Sequence, residues 1–507
     1  MKKLRFFSIV LFLVLGLIMT SLITGLASKE DNSIVFGIMQ EPPVLDPHYT
    51  SSGIARSTYS NLYDSLLWYD DSGNYVGAIA EGWTVSEDET EYIFTLRKGI
   101  KFHNGEELKA SDVKFSLDRG KNSPYTAFMY TGIQDIEILD DYTVKVKLQA
   151  PSAIFLEVMC QPHTSIVSEK AVTEMGNQEF ARNPVGTGPY KFVKWTAGVS
   201  IEFEAFEDYF LGAPSIKYAK FPIIVDRTVA TVALEKGEID VYQDLATIDK
   251  QTIIDSPDLS WDETTGAHLY YIIINTEHPI LSNPLVRQAI AYATDKESIL
   301  LIAREGFGTL ADSQIPPFLT DYFPATVKAY PYDPKKAKEL LEQAGYPNGF
   351  SIKMSIDNNT FSRKLAQVVQ DNLSQIGIDM SIEEFEWGTF LELAGNGNFD
   401  LATVGQSIQI LEPGLLLNWM FFSGNVGSAG NFMRYNDPEM DKLIAASFVE
   451  SNISKRVAIF EKIAQKAHDE VIGVPVYWIT NTIAFNSNLK GVEALTIFHY
   501  KIREYSW

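Results

Sequence analysis

The sequence predicts an α/β protein whose domains interdigitate along the chain. Strand-like and helix-like segments alternate without separating into an all-β and an all-α part, which is the pattern of α/β domains. The 507 residues, 46% apolar and 12% aromatic, can bury large cores, and no low-complexity linker marks a place to divide them. Length alone suggests roughly two to four domains.

At the N-terminus Lys2, Lys3 and Arg5 precede an apolar run from Phe6 to Met19 and a small-residue stretch ending Gly25-Leu26-Ala27. That order predicts a secretory signal over residues 1–27, cleaved after Ala27. A retained membrane anchor is the alternative, but small residues at Gly25 and Ala27 suit signal peptidase. Three cationic residues would leave with the signal, taking the formal charge from −23 to −26. Such an acidic surface excludes a nucleic-acid partner, which needs a basic face. Later apolar runs are broken by charge, Gly or Pro, so the exported chain is expected to be soluble. Cys160, the single cysteine, has no partner for an intramolecular disulfide. With no cysteine at the start of the mature chain, directly after Ala27, to carry a lipid anchor, the sequence predicts a free periplasmic protein.

Along the chain, Thr143-Val144-Lys145-Val146-Lys147-Leu148 alternates strictly and predicts a half-exposed strand. Gly186-Thr187-Gly188 resembles a dinucleotide turn, but Pro189 follows and Lys191 stands where the third glycine belongs. It reads instead as a turn before the strand Tyr190-Lys191-Phe192-Val193. Leu269 to Ile274 and Val474 to Ile479 are further strands. Three helices announce their starts with an N-cap followed by proline, at Asn283-Pro284, Asp333-Pro334 and Asp437-Pro438. Two more follow the helical period, through Leu365, Val368, Val369, Leu373 and Ile376, and through Val457, Phe460, Ala464, Ala467 and Val471. A short echo links Gly237-Glu238-Ile239-Asp240-Val241 with Gly397-Asn398-Phe399-Asp400-Leu401, each following a helical stretch. If it is a true repeat, it predicts two similar α/β lobes.

Motifs of catalysis are missing: there is no nucleophile elbow, no His-Glu-x-x-His, no P-loop and no calcium loop. Cys160 and His163 are spaced like half a zinc site without the other half. His103 and His268 read as structural, hydrogen-bonded histidines. These absences predict a non-enzyme that needs no cofactor and no metal.

The stretch Glu91 to Val113, EYIFTLRKGIKFHNGEELKASDV, resembles the signature of the family 5 extracellular solute-binding proteins, the dipeptide, oligopeptide and nickel binding group of ABC importers. Further matches follow in the family's order: EPPVLDP (41–47), NPVGTGPYKF (183–192), NPLVRQAIAYATDKESI (283–299), YDPKKAKELLEQAGY (332–346), FEWGTF (385–390) and YNDPEMDKLI (435–444). The resemblance implies an α/β, two-lobed periplasmic binding protein fold with a hinge and an extra subdomain on lobe I. It puts lobe I at 34–270 plus 481–507, with the inserted subdomain at roughly 60–185, and lobe II at 275–480. The crossings would be Tyr270 to Asn275 and Tyr477 to Asn481. The signature itself reads as a structural hairpin, with turns at Lys98-Gly99 and Asn104-Gly105.

In dipeptide-like members a Gly-Trp segment followed by acids anchors the ligand amine. Here the matching segment runs from Val404 to Pro413, with Gln406 where Trp is usual and Gln409 where the amine-binding Asp would stand. A neutral amide cannot make the charge-assisted bond that an ammonium prefers. No basic residue for a ligand carboxylate is evident in Ile356-Asp357-Asn358-Asn359. The candidate ligand-binding residues are Trp387, Gln406, Ser407, Gln409, Asn418, Trp419 and Asn425, with Asn431 nearby. Amides and indoles suit an uncharged ligand, an oligosaccharide or a capped peptide. The expected partners are that small molecule and a membrane ABC permease, with the protein a monomer. A nickel chelate, a secreted hydrolase and a chaperone-like peptide receptor are the alternatives.

Overall fold

The computed structural model describes residues 32–70, 73–408, 410–427, 430–497 and 500–507. The predicted signal and Gln409 lie outside the described residues.

An eleven-stranded sheet joins two α/β lobes. In the first lobe Ser33–Gly37 lies between Tyr218–Pro222 and Val241–Gln243, parallel to both, and Ser200–Ala205 and Tyr190–Thr196 extend the sheet outward. In the second, Phe350–Asp357 lies between Ile378–Phe385 and Leu401–Ser407, again parallel to both. Two long antiparallel strands, Leu259–Ile274 and Gly473–Asn486, belong to both lobes. The sequence displays only their apolar parts, Leu269 to Ile274 and Val474 to Ile479. The remainder is polar where it crosses, at Thr264, Thr265, Asn481 and Thr482, so hydropathy does not show it.

The crossing is marked by a slip in register. Thr265 pairs with Thr480 and Leu269 with Trp478, so Gly266, Ala267 and His268 together face Ile479. The first crossing therefore falls earlier than Tyr270 to Asn275, because residues from His268 onward already pair with Leu401–Ser407. A side chain at Gly266 would place its Cβ 2.3 Å from Asn481 Oδ1, so the bulge requires glycine.

The helices form where the capping residues direct. Asn283, Asp333 and Asp437 accept from the backbone N–H groups of Leu285, Lys336 and Met440 at 3.0, 2.9 and 2.7 Å, and a proline opens each of Pro284–Ala293, Pro334–Gln343 and Pro438–Val449. The periodic stripes become Thr360–Ser374 and Ile453–Asp469, capped by Asn359 and Asn452. Their buried faces cover the second lobe's sheet with Leu365, Val369 and Leu373 on one core and Phe460, Ile463 and Ala464 on the other.

An inserted four-stranded antiparallel sheet, Ala80–Val85, Glu91–Leu96, Thr143–Leu148 and Ile133–Asp140, packs against the helix Ala110–Lys121. Val144, Val146 and Leu148 point inward, as the strict alternation predicts. The signature segment corrects its hairpin reading. Glu91–Leu96 pairs with its neighbours on either side, while residues 101–107 close a small loop on themselves through Phe102 N–H to Glu106 O and Gly105 N–H to Phe102 O, both 2.8 Å. Too few residues separate the two turns for a second ladder to form.

Candidate ligand-binding site

Between the lobes lies a cavity of about 810 Å³. The first lobe's insertion contributes Tyr125, Phe128, Ile133, Phe155 and Val158; the second lobe contributes Gln406, Ser407, Ile408, Asn418, Trp419 and Asn425. Five of the seven sequence candidates thus share one cavity. Gln406 and Ser407 end the strand Leu401–Ser407, opposite Leu269 and His268. Asn418 and Trp419 lie on the helix Pro413–Phe421, and Asn425 donates its Nδ2–H to Asn418 O at 2.9 Å, tying the following turn back to that helix. Trp387 falls outside: it opens the helix Trp387–Gly395, is 45% exposed, and its ring stacks on Phe390 at 5.7 Å. Asn431 is a buried clamp, donating to Tyr435 O at 2.7 Å and accepting from Tyr435 N–H at 3.1 Å. Gln409 lies outside the described residues.

The lining is mostly apolar, and among the described residues Glu412 is its one charged member. Glu412 caps the helix Pro413–Phe421 by accepting from Gly414 N–H at 2.8 Å, and is ion-paired with Arg456, both nearly fully buried. Arg456 also donates Nε–H to Ser447 O at 2.8 Å. At this rim the lobes touch. Glu157, from the first lobe's insertion, accepts from Leu411 N–H at 3.0 Å and from Gln161 Nε2–H at 3.2 Å. Ala153 N–H donates to Phe448 O at 2.8 Å, and Ile410, Leu415 and Phe448 of the second lobe pack on the insertion's core. Burial, with Glu412 nearby, pushes the Glu157 carboxyl up to about 7.

A second cavity of about 210 Å³ sits at the crossing strands, on the other side of Ser407 and Ile408. Arg56, Arg227, Asp244, His268, Tyr270, Arg304 and Phe361 line it. His268 bonds through Nδ1 to Ser407 Oγ at 2.7 Å, and burial followed by the field of Arg304 lowers its pKa to about 4, which keeps it neutral. His268 is the structural, hydrogen-bonded histidine that the sequence suggested, whereas Arg56, Arg227 and Arg304 were missed. Arg304 closes the helix Lys296–Arg304, where a cation is expected merely to complement the helix dipole, and Arg56 and Arg227 carry no motif.

The other sequence candidates prove architectural. His103 Nε2 meets Gly188 O at 3.0 Å and its Nδ1 accepts from Gly186 N–H at 3.3 Å, so the Gly186-Thr187-Gly188 turn wraps this imidazole rather than a phosphate. Cys160 is buried, with Sγ 3.3 Å from Leu156 O. Among the described residues no three His, Cys, Asp or Glu side chains gather as metal ligands, and no helix is long and apolar enough to cross a membrane.

The two-lobed frame, the inter-lobe cavity and the ordered motifs meet one family description: residues 74–428 match the bacterial extracellular solute-binding proteins, family 5. The chain belongs to this family. Family 5 proteins are the solute-binding components of ABC importers, and this chain is one of them. It is 28% identical to the heme-binding protein A of Haemophilus influenzae over 92% of this chain and 91% of that protein. It is equally 28% identical to the dipeptide-binding protein of Escherichia coli strain K12 over 96% of both. The structure of the ABC transporter-associated periplasmic binding protein DppA from Helicobacter pylori, in complex with the peptide STSA, aligns with TM-score 0.81 at 28% identity, covering 94% of this chain and 99% of that one.

Proposed function

We propose that this protein captures a small peptide-type solute between its lobes in the periplasm and presents it, as a monomer and without chemical turnover, to an ABC permease. The lobes are taken to divide near 270 and 480, at the crossing strands. One observation carries this reading: the cavity of about 810 Å³ has walls from both lobes, so an occupant would hold them together. Its apolar faces, from Tyr125, Phe128, Phe155 and Trp419, suit a ligand with apolar side chains, and so favour the peptide over the oligosaccharide among the uncharged ligands expected from the sequence. Relatives named for dipeptide and heme binding, and a neighbour holding a tetrapeptide, favour cargo of this size.

The test is a thermal melt of the purified protein, unfolded and refolded to remove carried-over cargo, against peptides of two to five residues, oligosaccharides and nickel chelates. A ligand at 100 times its dissociation constant adds about 2.7 kcal/mol to stability. The expected result is a shift with peptides alone. A larger shift with oligosaccharides, or turnover of the peptides, would overturn the reading.

A further inference from the structure

Resting on the solute-binding reading above, we propose that capture takes up a proton, held by Glu157 where the first lobe's insertion closes on the second lobe, so that the solute is gripped more tightly in mild acid than in alkali.

The contact gathers two buried carboxyl groups around one guanidinium. Glu157 lies on the short helix Phe155–Met159 of the insertion, whereas Glu412 and Arg456 belong to the second lobe. Arg456 is committed to Glu412, and its further donors go to Ser447 O at 2.8 Å and, across the lobe boundary, to Ala153 O at 3.4 Å. Glu412 thus has a cation as well as Gly414 N–H. Glu157 has no ion pair among the described residues. Its carboxyl accepts from neutral donors, Leu411 N–H, Gln161 Nε2–H and the Tyr69 hydroxyl. One guanidinium balances one carboxylate, so ionising the second would bury a net negative charge, and a buried carboxyl in that position takes a proton instead.

The other titratable groups acting on Glu157 do not supply the missing charge. Tyr69, Tyr75 and Cys160 of the insertion and Tyr322 of the second lobe are held neutral by burial, which raises the pKa of each. Desolvation, reinforced by Glu412, leaves the Glu157 carboxyl at about 7 despite the opposing bond from Tyr69.

The same contact forms a wall of the larger cavity. Ile154, Phe155 and Val158, beside Glu157, line it from the insertion, and Ile410, Glu412 and Phe448 line it from the second lobe. A solute between these walls holds the contact together. Parting the lobes to admit one breaks the Leu411 bond and returns the Glu157 carboxyl to water, where its ordinary value is 4.5. Between those two values the open form has lost a proton that the closed form keeps. Closure, and with it solute affinity, is therefore fully favoured below about pH 4.5 and loses this contribution as pH rises through about 7.

The test is calorimetric titration of wild type and Glu157→Gln with a mixture of random tripeptides, at pH 5.5 and pH 8, in buffers of low and high ionisation enthalpy. Wild type is expected to bind about tenfold or more tightly at pH 5.5 than at pH 8, and at pH 5.5 to draw about one proton from the buffer per solute bound. Glu157→Gln keeps an oxygen acceptor but has no proton to gain. Its uptake should be lower by that proton and its affinity should change less with pH, while the tripeptides' own ends titrate alike with both proteins. Equal proton uptake by wild type and Glu157→Gln would overturn the proposal and leave peptide capture standing. So would wild-type affinity that does not fall between pH 5.5 and pH 8, a result that needs no variant. If the mixture binds at neither pH, the proton coupling and the peptide reading fall together.

Discussion

The two lobes enter their sheets by the same device and differ in what they build on it. In the first, the helix Arg227–Glu235 stops, Gly237 turns left-handed, and Asp240 accepts from Val35 N–H at 2.9 Å while its carbonyl accepts from Asn486 N–H at 2.8 Å. In the second, the helix Trp387–Gly395 stops, Gly397 turns left-handed, and Asp400 accepts from Lys353 N–H at 2.9 Å while its carbonyl accepts from Asn275 N–H at 3.0 Å. Each strand that follows runs parallel to the strand bonded by its aspartate. The echo of five residues is therefore a structural repeat. What breaks the symmetry is the first lobe's insertion, which reaches across the cleft and meets a buried ion pair that the second lobe alone supplies. The sheets are thus alike, and the binding cleft comes from the difference.

The sharpest way to break that asymmetry is Arg456→Met. Arg456 is 4% exposed and Glu412 3%, so the substitution strands a buried carboxylate beside the cavity. Removing one partner of such a pair costs about 3–5 kcal/mol. Urea denaturation should show a loss of that size, and the double variant Arg456→Met with Glu412→Leu should recover much of it. A single variant as stable as wild type would mean that the pair does not organise this rim.

Glu157 offers a smaller effect, on the contact between lobes. Its folded pKa of about 7 lies above the ordinary carboxylate value of 4.5, so the unfolded chain gives up this proton first as pH rises. The protonated contact is fully stabilising below about pH 4.5, and that contribution is lost as pH passes through about 7. Other groups titrate too, Glu412 among them, whose pKa burial also raises. The informative quantity is thus the difference from Glu157→Gln, which keeps an oxygen acceptor for Leu411 N–H. Wild type should lose more stability than this variant between about pH 5.5 and pH 8; parallel curves would remove Glu157 from the account. The expected difference is on the order of 2 kcal/mol.

How much of this was legible in the residues follows from how local each signal is. The caps at Asn283, Asp333 and Asp437 act on backbone two or three residues away, and those helices were readable. The strand Thr143–Leu148 was readable because one face is buried and the other is not. The polar crossing at Thr264 and Thr265 was not, since its strand character comes from Asn481 and Thr480, far away in the chain. The larger cavity was half legible. Gln406, Ser407, Asn418, Trp419 and Asn425 lie on one contiguous stretch of the second lobe, whereas Tyr125, Phe128 and Phe155 reach the cavity only through the insertion's packing. Arg56, Arg227 and Arg304 were invisible for the same reason, being assembled from three separate helices. Trp387 shows the converse error: closeness in sequence to a family motif did not place it in the cleft.

The repeat itself can be tested with the smallest change, one methyl group in each lobe. Gly237 and Gly397 have φ of 67° and 71°, a conformation that costs an alanine roughly 1–2 kcal/mol. Backbone strain alone predicts equal losses from Gly237→Ala and Gly397→Ala. The surroundings differ, however: nothing lies within 4 Å of a Cβ at Gly237, whereas one at Gly397 would sit 2.6 Å from Arg434 Cδ. Arg434 is ion-paired with Glu277 and donates Nη1–H to Gly395 O at 3.3 Å, so it cannot withdraw without breaking these bonds. Gly397→Ala should therefore cost more than Gly237→Ala, and adding Arg434→Ala should bring its cost down toward that of the first lobe. Equal losses without that rescue would mean that the repeat extends to the packing around the turn as well as its backbone.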